Sequence, residues 1–455
     1  MFLYLPIVMG IYYIIPKRYR NAFLLIANLV FYGWGEPVFV IIMAISVLSN
    51  YIFGLLIEKY RGNKSRMRVF VIFSLIISFG LLAVFKYAGF FSDILRGIPI
   101  FSAMPKIDIA LPIGISFYTF QAVSYIIDIY RGEAKAQKSI IKFGTYISFF
   151  PQLIAGPIVR YVDIADMLDN RHENIHQFAD GVRLFTIGLS KKVLIANNMG
   201  MLWDSVRGME SGLLGSWIGM IAYTFQIYFD FSGYSDMACG LGKMFGFEFM
   251  KNFNYPYISK SITEFWRRWH ISLSTWFRDY VYIPLGGNRC KLPCVIFNMF
   301  VVWVFTGFWH GASLNFIVWG IYYFVLLVLE KYVFGRYLEK LPSAIQHIYA
   351  LLFIILGWTI FYFEDMGQML DYVSLMFTLD GGIITKNCAS IILSYLPMIA
   401  VTVIGCTPLA KNMWDRVSNK RLLATVQAVL VVLGLVLCTA QLVTQSYNPF
   451  LYFRF

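Results

Sequence analysis

A chain of 455 residues that is 59% hydrophobic and 18% aromatic, with a mean hydropathy of +0.65, has too little polar surface for a soluble domain. Its formal charge of +13 would suit a nucleic-acid binder, but the basic residues sit mainly in short loops between apolar runs, where topology and anionic headgroups account for them, so no nucleic acid is expected. A transmembrane barrel is excluded as well. Its strands would alternate, whereas Phe70–Phe85, Ile391–Ile404 and Leu422–Leu437 are largely apolar on both alternate positions. The expected class is an all-α, polytopic integral membrane protein.

In chain order the apolar stretches are Leu3–Ile15, Ala22–Trp34, Phe39–Ile57, Val69–Tyr87, Ala110–Tyr130, Phe143–Ile158, Val182–Ala196, Trp217–Phe231, Val295–Trp309, Ile317–Val333, Ile348–Phe363, Ile391–Thr407 and Leu422–Val443. Several are too short to cross alone, which predicts about eleven crossings, with the rest re-entrant or interfacial. Basic residues after the first span (Lys17, Arg18, Arg20) and after the third (Lys59, Arg61, Lys64, Arg66, Arg68) assign those loops to the cytoplasm. The N-terminus and the Gly35-Glu36-Pro37 turn are then outside. No basic leader with a small-residue cleavage site precedes Leu3–Ile15, so it is read as the first membrane helix and the chain as full length or nearly so. No internal repeat or linker is visible. The chain reads as one integral domain over residues 1–455: an N-terminal helical scaffold (1–140), a motif-rich region (141–315) and C-terminal helices (316–455).

The motif-rich region opens with Phe149-Phe-Pro-Gln152-Leu-Ile-Ala-Gly-Pro-Ile-Val-Arg160-Tyr161, where two prolines and a glycine interrupt an apolar run. Continuous helix is not expected there. Broken backbone at membrane depth must be buried in protein or line a cavity, so this segment is either a simple kink or a cavity wall. Asp230, Ser232, Ser235 and Asp236 follow, polar groups amid aromatics that need partners or hydration. They are either functional or a structural hydrogen-bond cluster. The nearby Gly240-Leu-Gly242-Lys243-Met244 lacks the Ser or Thr of a phosphate loop and points to close helix packing.

Ser261-Ile-Thr-Glu264 has capping-box spacing and predicts a helix running on to Tyr282. Trp266, Trp269, Leu273, Trp276 and Tyr280 recur at three- and four-residue steps, the aromatic stripe of an interfacial helix, with Arg267, Arg268, Arg278 and Asp279 around the rest. His270 lies beside the stripe. His310 ends the apolar run Val295–Trp309 between Gly307 and Gly311, glycines that let backbone or a ligand approach. An imidazole there is either a general base or a structural hydrogen-bonding group. His172 and His176 lie in a polar connector, and His347 is expected at a loop-to-span junction without partners. The six cysteines, Cys290 and Cys294 included, fit no complete zinc pattern and are read as inert thiols; no metal is expected.

Pro151-Gln-Leu-Ile-Ala-Gly-Pro-Ile-Val-Arg160-Tyr, Tyr228-Phe-Asp-Phe-Ser-Gly-Tyr-Ser-Asp236, Trp266-Arg-Arg-Trp-His-Ile-Ser-Leu-Ser-Thr-Trp-Phe-Arg-Asp-Tyr280, Tyr282-Ile-Pro-Leu-Gly-Gly-Asn-Arg289 and Gly307-Phe-Trp-His-Gly-Ala312, in that order, resemble the membrane-bound O-acyltransferase superfamily. The likeness is greatest to its bacterial alginate O-acetylation branch and extends from Leu5 to the terminal Asn448–Phe455. The resemblance implies a multi-helix bowl around a central tunnel, with His310 as the principal catalytic histidine and His270 as a second one. Substrate- or tunnel-lining candidates are Arg267, Trp266, Trp269, Asp230, Ser232, Ser235, Asp236, Trp309, Arg160 and Gln152. It further implies an acyl-thioester donor such as acetyl-CoA entering from the cytoplasm, no permanently bound cofactor, and a bacterial cytoplasmic membrane. An extracytoplasmic SGNH-type partner would then acetylate an exported or cell-wall polysaccharide. D-alanyl transfer to teichoic acid from a carrier-protein thioester is the alternative within the superfamily. A secondary transporter, holding substrate at broken helices, is the alternative outside it.

Overall fold

The computed structural model describes residues 3–444 and 450–451, and among these the regular structure is helical, without strands. The C-terminal motif over 448–455 therefore lies outside the described residues except for Phe450 and Leu451. Among the described residues seven helices are long and apolar enough, by length and composition, to cross a membrane: Phe39–Lys59, Lys64–Arg96, Leu292–His310, Leu314–Leu338, Ser343–Tyr362, Lys386–Gly405 and Arg421–Thr444. The expected eleven also drew on shorter stretches, which here form helices of 11 (Tyr4–Ile14), 16 (Arg20–Gly35) and 17 residues (Ile115–Arg131). Much of the apolar surface faces outward. In Arg421–Thr444 only 6% of the apolar window is buried, and Val429, Leu433, Val436 and Leu437 are exposed. Faces of that kind are stable only against lipid or another protein.

The chain forms two compact units, one of residues 1–181 with 238–250 and one of 182–237 with 251–455. The first is built around Ile115–Arg131, a helix buried along nearly its whole length. Tyr125 packs on Phe143, with ring centroids 4.5 Å apart, and fills the space over Gly54.

The Pro/Gly segment breaks as its residues predict. Helix Ile140–Ser148 stops at Phe149, a single turn spans Phe150–Leu153, a further turn covers 154–156, and 157–160 carry no regular structure before the helix at Tyr161. Phe149, Gln152, Leu153, Ala155, Ile158 and Val159 are all buried. Freed backbone groups are matched locally: Tyr146 donates to the Val159 carbonyl at 2.9 Å, Gln152 Nε2 to the Tyr146 carbonyl at 2.8 Å, and the Phe150 N–H to Asn28 Oδ1 at 3.2 Å. The break is therefore packed inside protein, as backbone at membrane depth requires. Arg160, at its end, pairs with Asp163 at 2.8 Å on the surface of this unit.

Candidate active site

The second unit holds both candidate histidines. Helix Leu292–His310 turns at Gly311–Ser313 into helix Leu314–Leu329, and the two lie in close contact. A side chain on Gly307 would stand 2.3 Å from the Phe316 carbonyl oxygen, and one on Gly320 would stand 2.4 Å from that of Trp303. The glycines are thus what lets the two backbones meet. This approach seats His310, the last residue of its helix and 7% exposed, among Trp309, Trp319 and Phe361, at ring distances of 5.0, 5.0 and 5.3 Å.

The predicted helix from Ser261 to Tyr282 is not continuous. Its start is as expected: Ser261 Oγ accepts from the Glu264 N–H at 3.0 Å, while Glu264 reaches back to the Lys260 N–H at 2.9 Å. Buried Glu330 accepts from the Ile262 and Thr263 N–H groups at 2.8 and 2.9 Å, completing the cap. The helix then ends at Arg268. His270 takes a left-handed conformation, φ 43° and ψ 55°, and a second short helix, Ile271–Phe277, begins. Periodicity could not reveal this, because the stripe keeps its three- and four-residue spacing across the break. Nor is the stripe interfacial. Trp266, Trp269, Leu273, Trp276 and Tyr280 are all buried, and Trp269 stacks into a cluster with Phe253, Phe265 and Trp358.

A strand-like segment holds the turn at His270. The Ile271 N–H donates to the Asn252 carbonyl and the Asn254 N–H to the Arg268 carbonyl, each at 2.9 Å. Inside this clamp His270 is 1% exposed, its Nδ1 is 3.2 Å from Asn252 Oδ1, and its Nε2 has no hydrogen-bond partner among the described residues. The ring meets Phe231 edge-on at 4.7 Å and Trp309 at 5.7 Å. Burial pushes its imidazole down from the ordinary 6.5 to about 3, so it is neutral at physiological pH. Both histidines therefore border one indole, that of Trp309.

The polar group near the end of the expected span Trp217–Phe231 lies in helix Gly212–Met244 and is largely ion-paired. Buried Asp230 pairs with Lys192 and accepts from the Leu451 N–H at 2.8 Å, and half-buried Asp236 pairs with Lys191 at 2.6 Å. Both lysines lie on the π-helical turn Lys191–Ala196. Ser232 and Ser235 are buried beside them, and the Ser232 hydroxyl lacks a partner among the described residues. The ion pairs give this cluster a structural explanation.

His310, His270, Trp309, Trp266 and Trp269 thus share one aromatic core. Trp266 reaches it through Trp319, 5.5 Å away, which also touches His310. Arg267 is exposed and is not drawn into that core. Gln152 and Arg160 belong to the other compact unit. Two further expectations are corrected. His347 does have a partner, the Ser259 carbonyl, 3.0 Å from its Nδ1. Cys290 and Cys294 are joined in a disulfide, while the other four cysteines are buried thiols outside any disulfide. Asn252 escaped the sequence reading altogether, because nothing in its spacing ties it to a histidine eighteen positions on.

Comparison with known proteins adds the chemistry. The membrane-bound O-acyltransferase family profile matches residues 131–365, which include His270, His310 and the aromatic residues around them. The chain is 43% identical over 382 residues to the probable alginate O-acetylase of Pseudomonas aeruginosa, covering 83% of this chain and 74% of that protein. It is 32% identical over 417 residues to the peptidoglycan O-acetyltransferase of Helicobacter pylori, 84% of this chain and 79% of the relative. A more local match, 32% over 246 residues, links 51% of the chain to 62% of the teichoic acid D-alanyltransferase of Bacillus subtilis. With its apolar helices and this relationship, the chain belongs to the membrane-bound O-acyltransferase family and is a multi-pass membrane O-acyltransferase.

Proposed function

We propose that this protein transfers acetyl groups from a cytoplasmic thioester, acetyl-CoA, across the bacterial cytoplasmic membrane for O-acetylation of an extracellular or cell-wall polysaccharide. An extracytoplasmic SGNH-type protein completes the transfer. The observation that carries this reading is the buried meeting of His310 and His270 on Trp309 within the family-matched region. Likeness to two O-acetyl-transferring relatives over more than four-fifths of the chain supports acetyl as the cargo, whereas the D-alanyl-transferring relative matches about half.

In this mechanism His310 takes the proton of an acceptor hydroxyl as its oxygen attacks the thioester carbonyl. A carbon–oxygen bond forms, the carbon–sulfur bond breaks as the tetrahedral intermediate collapses, and the imidazolium returns the proton to the departing thiolate. His270 orients the acceptor. The aromatic walls exclude water, which keeps hydrolysis from competing and strengthens each polar contact. An acyl-histidine on His310 is the competing route.

The test is polymer-bound ester released by mild base and identified by mass, from cells carrying wild type or His310→Ala at equal protein levels. Acetate from wild type and a loss of at least 100-fold in the variant is the expected result. Release of D-alanine would transfer the reading to teichoic acid. Unchanged ester content would remove His310 from the chemistry, and flux that persists without thioester consumption would favour transport.

A further inference from the structure

We infer that Asn252 is a positioning residue that locks His270 in the Nδ1–H tautomer, leaving Nε2 as a bare acceptor for an O–H donor of the substrate. This rests on the reading of His270 as part of the site and gives it a defined polarity.

One donor beside His270 cannot change role. The backbone N–H of Ser272 lies 3.1 Å from Asn252 Oδ1, and the Ser272 hydroxyl lies 2.9 Å from the same atom. An amide nitrogen at that position would set two donors face to face, so the atom is the carbonyl oxygen. His270 Nδ1, 3.2 Å from that oxygen, must then carry hydrogen. A neutral imidazole has one N–H, which leaves a lone pair on Nε2. That nitrogen is buried and has no partner among the described residues.

Asn252 serves this arrangement at a cost to itself. Its own Nδ2 is buried without a partner among the described residues, which destabilises the fold. An apolar residue would avoid that loss but would not hold Nδ1–H. The group that meets Nε2 must bring hydrogen, as a hydroxyl does and a thioester carbonyl does not. His270 therefore holds a neighbouring hydroxyl of the acceptor, while the attacking hydroxyl gives its one proton to His310, and it does not polarise the donor carbonyl.

The rings on His270, from Phe231, Phe253 and Trp309, are uncharged. The histidine, acidic and basic side chains on the elements carrying those rings and His270 are His310, Asp230 with its partner Lys192, Asp236 with Lys191, Lys243, Lys251, exposed Arg267, and Arg268 with Glu264, and helix Gly212–Met244 adds Tyr223, Tyr228, Tyr234 and Cys239. A carboxylate in place of the Asn252 amide would thus be a new charge against Nδ1 and would raise the imidazole's proton affinity.

The experiment uses the full-length protein in liposomes with 15N-labelled histidine, a His270→Gln spectrum supplying the assignment. Wild type is expected to show a protonated Nδ1 and an unprotonated Nε2 at His270. The reverse would overturn the inference whether or not His270 takes part in catalysis. Thioester-dependent transfer by Asn252→Asp should fall at least tenfold from pH 8 to pH 6 relative to wild type. Asn252→Leu should lose at least 100-fold in kcat with KM for the thioester within threefold. A wild-type pH profile in Asn252→Asp, or full kcat in Asn252→Leu, overturns the positioning role. If Asn252→Leu does not fold, the wild-type spectrum and the aspartate profile still decide. Full activity in His270→Gln would defeat the catalytic reading of His270 alone, because the spectrum reports the tautomer separately.

Discussion

His270 has an ordinary imidazole value in the unfolded chain and a value pushed down to about 3 by burial in the folded one. Between those values the unfolded state binds the extra proton, so folding stability is fully present above pH 6.5 and is lost as pH falls toward 3. The slope is about 1.4 kcal/mol per pH unit within that window. Thermal unfolding of the detergent-solubilised protein should therefore shift downward from pH 7 to pH 5. His270→Gln should flatten that part of the pH dependence, and an unchanged acid limb in the variant would mean that His270 is protonated in the fold. At this scale much was legible. The two histidines and their flanking tryptophans were identified from apolar context and motif. The roles of Asp230 and Asp236 were left open, because Lys191 and Lys192 lie about forty positions away and only folding brings them alongside.

At the scale of elements, the two apolar runs that become Leu292–His310 and Leu314–Leu329, and the close approach at Gly307, are legible because their cause is local: composition and a residue without a side chain. A methyl group on Gly307 would meet the Phe316 carbonyl, a backbone atom that cannot swing aside. Gly307→Ala should cost about 1–3 kcal/mol or more and displace His310 from Trp319. Gly10→Ala, in a helix with open space around the site, should leave the melting temperature unchanged or slightly raised. Thermal unfolding in detergent compares the two, and equal behaviour would remove the glycine from the packing argument. The helix around His270 went the other way. Hydrophobic spacing predicted one continuous helix, whereas backbone pairing with residues 252–254 imposes a left-handed turn. Such a turn costs a non-glycine residue about 1–3 kcal/mol unless its surroundings hold it in place.

For the whole molecule, orientation follows from charge. Cysteine introduced at Gly62, in the basic loop after Phe39–Lys59, should react with a membrane-impermeant reagent only from the cytoplasm. Cysteine at Gly35, in the turn that precedes that helix, should react only from outside. Both positions are exposed with open space around them, so labelling reports the side of the membrane. The opposite pattern would invert the topology and with it the side from which a thioester reaches His310.

The sequence by itself determined that this is a helical membrane protein, that its backbone must break between Pro151 and Pro157, and which histidines stand in apolar surroundings. Composition, proline and charge act locally and need no partner to exert their effect. Tertiary structure alone decided that His270 and His310 share Trp309, that a strand-like clamp bends the chain at His270, and that Asn252 governs its ring. Those contacts join positions fourteen to forty residues apart, and a hydrogen bond over such a separation is set by packing geometry that no periodicity encodes.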